Sequence, residues 1–212
     1  MPTYPPEPWH LAGQMFLSLW VVPRRRLPVL PDAVKPLTVA GRAVIGGAWV
    51  VYERDSVLHY NELLTAVLVR DGLRPRVTIT DIWVDSEQSR DGGRRLWGIP
   101  KDMARFDITR GARITFAASE RTPLASAAFH VRHRLPGRWP ASYQVCQDLD
   151  GRLKTSPVRS RSTLRLARGG WEIPARSAVP LPARPPTVSL ALEDFTLTFG
   201  AGESARSPRL SS

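Results

Sequence analysis

LHYNELLTAVLVR, residues 58–70, places Leu58, Tyr60, Glu62, Leu64, Ala66 and Leu68 at every second position. A period of two belongs to an extended chain, so these six side chains share one face of a β-strand. Glu62 is the one charge among these six. A carboxylate turned into an apolar interior is costly unless a group there uses it. Two readings of Glu62 stand at this point: a working carboxylate inside a β-structure, or one near a strand end or paired with an arginine.

Working outward, strand-like runs recur with turn signals between them. RAVIGGAWVVYER (42–54) and FLSLWVV (16–22) lie on the N-terminal side, and Gly46-Gly47 in the former predicts a bulge or close packing. RVTITDIWVDS (76–86) follows across DGLRP. Beyond it come ARFDITRG (104–111), ARITFAASE (112–120), PLASAAFHVRH (123–133) and ASYQVCQDLDG (141–151). GRLKTSPVRSRSTLRLAR (151–168) and TVSLALEDFTLTFG (187–200) complete the series. Asp148 and Asp150 in QDLDG mark a turn, and PARSAVPLPARPP (174–186) reads as an extended connection. Helix is scarce: SRDGGRRLWG (89–98) predicts one short turn that Pro100 ends. About ten short strands predict a mainly β fold, an antiparallel barrel or barrel-like sandwich. Residues 1–200 read as a single domain, and 201–212 as a disordered tail.

Composition narrows the classes. A chain of 212 residues with 42% apolar content can bury a core. The single cysteine, Cys146, excludes an intramolecular disulfide and a cysteine-rich metal site. His130 and His133 of HVRH point to opposite faces of a strand, so no metal centre is expected. The start, MPTYPPEPWH, lacks the pattern of a secretory leader, and AVIGGAWVVY (43–52) is about half a membrane span. A soluble, cytoplasmic protein without membrane attachment is expected. The net charge of +11 is spread along the chain, densest at Arg24–Arg26 and in 156–168, with no nucleic-acid-binding signature. It predicts a solvated surface that attracts anions and no sequence-specific nucleic-acid partner. The seven tryptophans are expected mostly in the core or in pocket walls.

One further stretch stands out, RRLWGIPKDMARFD (94–107). Of the 30 Lys and Arg residues only three are lysines, Lys35, Lys101 and Lys154. Lys101 follows Pro100 among Trp97, Ile99, Met103 and Phe106. Lysine, unlike arginine, can lose its proton and attack a carbonyl. The plainer reading lays its stem on Trp97 with the head in water.

GRRLWGIPKDMA (93–104) resembles the active-site segment of the acetoacetate decarboxylase superfamily, roughly Gly-Arg-Glu-x-x-Gly/Ala-aromatic-Pro-Lys-Lys. Gly93, Arg94, Leu96, Gly98, Pro100 and Lys101 fit it. The resemblance implies that Lys101 is a Schiff-base nucleophile. The family's catalytic glutamate lies in a Tyr-x-Glu strand, and HYNEL offers Tyr60 and Glu62, the latter 39 residues before Lys101. PPEPWHLAGQMFLSLW and the run from STLRLAR to TVSLALEDFTLTFG resemble the family's two ends. The resemblance further implies a closed antiparallel β-barrel-like fold, no cofactor, a keto acid or other small carbonyl substrate, and a homo-oligomer. Tyr60, Arg94, Trp97, Met103 and Gln14 are the implied substrate-binding residues. The chain departs from the pattern at Asp102, where decarboxylases carry a second lysine, at Arg95, where the motif has glutamate, and at Gln14, which takes the place of an arginine.

A free lysine titrates near 10.4, so attack at neutral pH requires a fall of about 3–4 units. With the second lysine absent, burial is expected to supply most of it. Trp97, Ile99, Met103 and Phe106 would form the apolar wall, Arg94 or Arg95 a nearby cation, and Asp102 would face away. Three functions follow: a Schiff-base decarboxylase of a β-keto acid, a Schiff-base aldolase, dehydratase or cyclase on a larger carbonyl compound in secondary metabolism, or a non-catalytic ligand-binding barrel.

Overall fold

The computed structural model describes residues 4–201, so the tail expected over 201–212 lies, beyond Ala201, outside the described residues. The period-two runs are strands. The first are β1 (Trp9–Pro23), β2 (Lys35–Pro36), β3 (Thr38–Val39) and β4 (Arg42–Tyr52). Next come β5 (Tyr60–Asp71), β6 (Arg74–Val84), helix α1 (Glu87–Trp97) and β7 (Lys101–Met103). The remainder are β8 (Arg105–Arg110), β9 (Ile114–Ser119), β10 (Pro123–Arg134), β11 (Trp139–Leu149), β12 (Arg152–Glu172) and β13 (Val188–Phe199). The strands are longer than the sequence predicts: β1 begins at Trp9 rather than Phe16, and β12 continues past Arg168 to Glu172. Residues 173–187 form the expected extended connection. Asp150 and Gly151, both at positive φ, make the two-residue turn between β11 and β12. No helix among the described residues is long and apolar enough to cross a membrane.

Hydrogen-bonded neighbours run β11-β6-β5-β4-β1-β13-β12, and β12 also pairs with β11, which closes a seven-stranded barrel-like ring. From β12 the sheet continues through β10, β9 and β8 as a flap. Two apolar clusters occupy the two faces of the ring. Trp9, Val50, Tyr60, Val145, Val158 and Phe195 come from β1, β4, β5, β11, β12 and β13, so they converge inside it. Phe16, Trp49 and Leu63 face outward, against Phe116 and Phe129 of the flap and Leu181 of the connection. Trp49 stacks on Phe116 and Trp171 at ring distances of 5.3 and 5.8 Å, contacts worth about 0.5–1.5 kcal/mol each beyond burial. Gly47 serves close packing rather than a bulge, since a Cβ there would lie 2.4 Å from Leu181 Cδ1. Trp139 departs from the expected pattern, at 47% exposed.

The short turn expected in 89–98 is an 11-residue helix. Ser86 caps it, its side chain accepting from Ser89 N–H, and Gly98 ends it in the left-handed conformation at φ 68°. Gly92 and Gly93 in mid-helix cost roughly 1 kcal/mol each in propensity. Packing requires them: a Cβ at Gly92 would lie 2.5 Å from the Trp9 ring, and one at Gly93 2.7 Å from Lys101 Cδ. Tertiary contact outweighs the local preference that a sequence pattern reads.

The wholly antiparallel barrel is corrected along β6, which pairs in parallel with β7 over Ile82–Val84 and, at the ring's seam, with β11. There β11 meets β6 in parallel, through the single bridge of Val145 with Val77. A helix and the flap separate these strands in sequence, so no hairpin dictates their direction. Gln147 substitutes for the missing ladder. Its Oε1 accepts from Thr78 Oγ1 at 2.8 Å and from Ile79 N–H at 2.9 Å, and its Nε2 donates to Ile79 O at 2.9 Å. The residue is buried. Gln147→Leu keeps the bulk and strands these partners away from water. Urea unfolding should show a loss of about 3 kcal/mol or more; an unchanged midpoint would mean the seam is held by other contacts.

Candidate active site

β7 lies beside β6, with Lys101 opposite Ile82. α1 crosses next to it, and the lysine stem passes over Gly93. The Lys101 amine donates to Glu62 Oε2 at 2.9 Å, Ser89 Oγ at 2.9 Å and Tyr60 Oη at 3.3 Å. It also sits 5.0 Å from the Tyr60 ring centroid. Glu62 is held from its other side: Tyr52 Oη donates to Oε1 at 3.2 Å, and Tyr60 Oη to Oε2 at 3.5 Å. Lys101 is 4% exposed and Glu62 3%. The inward phase read from β5 therefore brings the carboxylate to the lysine, and the lysine head is not in water.

Protonation differs from the expectation. Burial is the strongest single influence on Lys101 and pulls its pKa down, but the charge of Glu62, the neighbouring Tyr60 and the hydrogen bonds to both together hold it above the ordinary value. Burial does not activate this amine on its own. Desolvation pushes the Tyr60 phenol up to about 12 against the pull of the Lys101 cation. Tyr52 is raised well above its usual range, by burial first and the Glu62 charge second. Both phenols stay protonated at neutral pH.

The other expected residues divide. Arg94 reaches Lys101 by the backbone, its Nε donating to the Lys101 carbonyl at 2.6 Å while its guanidinium pairs with Asp102. It clamps the strand and does not direct its charge at the amine. Asp102 faces away from the lysine, as adjacent residues of a strand must. Arg95 is exposed. Trp97 is buried at the end of the ring against Trp9 and Phe199, with its Nε1 donating to Glu7 at 2.8 Å. Met103 packs against the inner cluster, as does Ile99. Phe106 does not line the site: it lies on the flap, 6.1 Å from the Trp49 ring in the outer cluster. Gln14 is not brought to Lys101 either. It pairs with Val51 of the outer cluster and bonds Glu53 at 2.8 Å and Arg110 at 3.2 Å. Met15, one residue on, has the inward phase.

Sequence reasoning missed Ser89, Tyr52 and Tyr143. Ser89 requires the helix that the Gly-Gly pair concealed. Tyr52 ends the β4 run, and it stands across from Tyr60, ring centroids 4.4 Å apart. Tyr143 shares the face of Val145. Its phenol is raised by burial of the hydroxyl end and then by the Glu62 charge, while 38% of the residue remains at the surface. Two surface cavities, of about 740 and 550 Å³, lie elsewhere, one between the flap and the extended connection and one across β1, β13 and β12. Neither is lined by Lys101 or Glu62.

Solved structures share this fold. An acetoacetate decarboxylase from Legionella pneumophila superposes with a TM-score of 0.68 at 17% identity, over 95% of this chain and 88% of that one. The enduracididine biosynthesis enzyme MppR gives 0.64 at 18% identity, over 93% and 87%. MppR has also been solved with pyruvate and with the condensation product of pyruvate and imidazole 4-carboxaldehyde. An acetoacetate decarboxylase-like enzyme from Sphingomonas wittichii RW1 gives 0.61 at 15% identity, over 92% and 91%. No curated protein matches the sequence. The acetoacetate decarboxylase family model matches residues 1–167, which take in both Glu62 and Lys101, and the chain belongs to that family.

Proposed function

We propose that the protein is an enzyme that forms a Schiff base between Lys101 and a small carbonyl compound, with Glu62 as the proton-transfer group. One observation carries this reading, the 2.9 Å contact between two buried charges, a lysine and a carboxylate. Glu62 takes the proton from the Lys101 ammonium and leaves a neutral amine. The amine adds to the substrate carbonyl carbon, the C=O π pair moves to oxygen, and one N–H proton passes to that oxygen to give the carbinolamine. Glu62 returns the proton to the carbinolamine oxygen, water departs, and an iminium and a carboxylate remain. These proton transfers stay within the pair and the bound carbonyl group, so they themselves bring no net charge into or out of the interior. Ser89 and Tyr60 hold the amine nitrogen in place during these steps, and Tyr52 keeps the carboxylate turned toward it.

The iminium accepts an electron pair from a bond at the adjacent carbon. A C–CO₂⁻ bond gives decarboxylation of a β-keto acid, the reaction the motif implies; an α C–H or C–C bond gives aldol, dehydration or cyclisation chemistry. The pyruvate condensation product bound by MppR supports keeping the second route beside the first. Release of carbon dioxide from a β-keto acid panel separates them, and a ligand-binding barrel would show neither turnover nor adduct.

Three variants test the reading. Lys101→Arg should abolish the mass adduct formed with a ketone and borohydride, because arginine keeps its charge and cannot form the imine; a surviving adduct would refute the assignment. Glu62→Gln should lower kcat about 10²–10⁴-fold through lost proton transfer. The same change removes the charge that raises Lys101 and leaves the burial that lowers it, so the pH midpoint for trapping should move down. A midpoint that stays or rises would contradict the pairing. Gly93→Ala puts a methyl against the buried lysine stem, so the stem must shift and stability should fall by about 1–3 kcal/mol. Well below the melting temperature of the variant, trapping should slow on the order of a hundredfold from a misplaced amine. Equal trapping rates would show that the Gly93 contact does not position the nucleophile.

A further inference from the structure

We propose that the outer face of β1, β13 and β12 carries a second binding site, separate from Lys101, that takes a small phosphorylated polyol. The site is the cavity of about 550 Å³ across these three strands. Leu11, Leu197 and Val158 belong to the cluster inside the ring, so their sequence neighbours point outward. His10 stands opposite Thr198, and Thr198 opposite Arg159. Ala12 stands opposite Thr196, and Thr196 opposite Arg161. Two cross-strand rows thus share the outward face, and each ends in an arginine on β12. The flap leaves this end open, since β10 pairs with β12 only over residues 165–172.

Arg159 and Arg161 belong to the basic run in 156–168 that the Schiff-base chemistry leaves unused. Both are exposed, and neither forms an ion pair among the described residues. Arg165, further along the same run, is by contrast paired with Glu193 at 3.5 Å. Two positions apart on a strand, the Arg159 and Arg161 side chains leave the sheet about 7 Å from each other. Two planar guanidinium forks at that spacing converge on one phosphate, whose free oxygens accept from both. Thr196 and Thr198 place hydroxyls beside them, and Thr198 Oγ1 lies 3.3 Å from His10 Nδ1.

The opposite flank has the opposite charge. Asp55, in the loop after β4, lines the cavity there. Its loop is tied to β1: Ser56 Oγ donates to Ala12 O at 2.7 Å, and Val57 N–H to His10 O at 2.9 Å. Two strand spacings, about 10 Å, separate β1 from β12. The cavity is therefore polarised along its length. A phosphate settles on the β12 side, and hydroxyls reaching back over β1 donate to the Asp55 carboxylate. A ligand anionic at both ends would meet repulsion from Asp55.

Calorimetric titration of the full chain at fixed ionic strength tests this with sorbitol 6-phosphate, which has no carbonyl for Lys101, and with inorganic phosphate and sorbitol. Sorbitol 6-phosphate should saturate one site at millimolar concentration, inorganic phosphate should displace it, and sorbitol should not. Arg159→Gln and Arg161→Gln should each weaken binding about tenfold or more through a lost charge-assisted hydrogen bond. Arg168→Gln removes the same charge from the same strand outside the cavity and should leave the Kd unchanged. Asp55→Ala should weaken sorbitol 6-phosphate about tenfold and leave inorganic phosphate bound no more weakly. Failure of both phosphates to saturate, or equal losses in Arg159→Gln and Arg168→Gln, would overturn the site and leave only diffuse surface charge. An Asp55→Ala variant that treats sorbitol 6-phosphate and inorganic phosphate alike would overturn the assignment of the polyol end.

Discussion

Lys101 and Glu62 set opposite charges 2.9 Å apart in an interior that holds no other buried charge among the described residues. Desolvating either charge alone costs several kcal/mol, and attraction between the two offsets this only when their remaining hydrogen-bond capacity is filled. The surroundings supply that capacity from separate parts of the chain: Ser89 from α1, Tyr52 from β4 and Tyr60 from β5. The pair thus requires the ring to be closed and the helix to be docked before it can be accommodated. A protein that needed only stability would do as well with two apolar side chains of similar volume there, so the retention of an ion pair is itself an argument for use.

Burial and pairing act in opposite directions on the amine, and their competition defines the resting state. Desolvation alone pulls the lysine toward its neutral form. The carboxylate counters this, so the amine rests protonated beside the group that, in the proposed reaction, would take the proton. Proton exchange within the pair changes no net charge, which is the inexpensive kind of step in a medium that solvates ions poorly. The raised phenols of Tyr52 and Tyr60 fit the same logic: they stay neutral and steer hydrogen bonds without adding a third charge.

Much of this was legible in the sequence where one periodicity governs a residue's environment. The alternation in 58–70 gave Glu62 its inward face, and Lys101 stood out as a rare lysine after Pro100. The mainly β, barrel-like fold followed from the recurring period of two. The failures share a physical cause, contacts between elements distant in the chain. Gly92 and Gly93 look like helix breakers until Trp9 and the Lys101 stem are laid over them, and the lost helix concealed Ser89. Gln14 was placed by alignment, but in a strand neighbouring positions face opposite ways, and Gln14 looks outward where Met15 looks in. Phe106 is near Lys101 in sequence, yet the chain turns from β7 into the flap before reaching it.

The closure of the ring also shapes how the chain can reach it during synthesis. β1 emerges before both of its neighbours: it pairs on one side with β4 and on the other with β13, the last strand among the described residues. Gln147 and Ile79 at the seam are 68 residues apart. Long-range pairings of this kind form late, because the intervening chain must be ordered first. Until Val188–Phe199 has left the ribosome, one edge of β1 is an open row of amides and carbonyls beside apolar side chains. Such an edge accepts any strand that reaches it. A nascent chain of this protein therefore carries an adhesive edge for most of its translation, and shielding by chaperones or rapid completion of the C-terminal strand is part of what this fold asks of the cell.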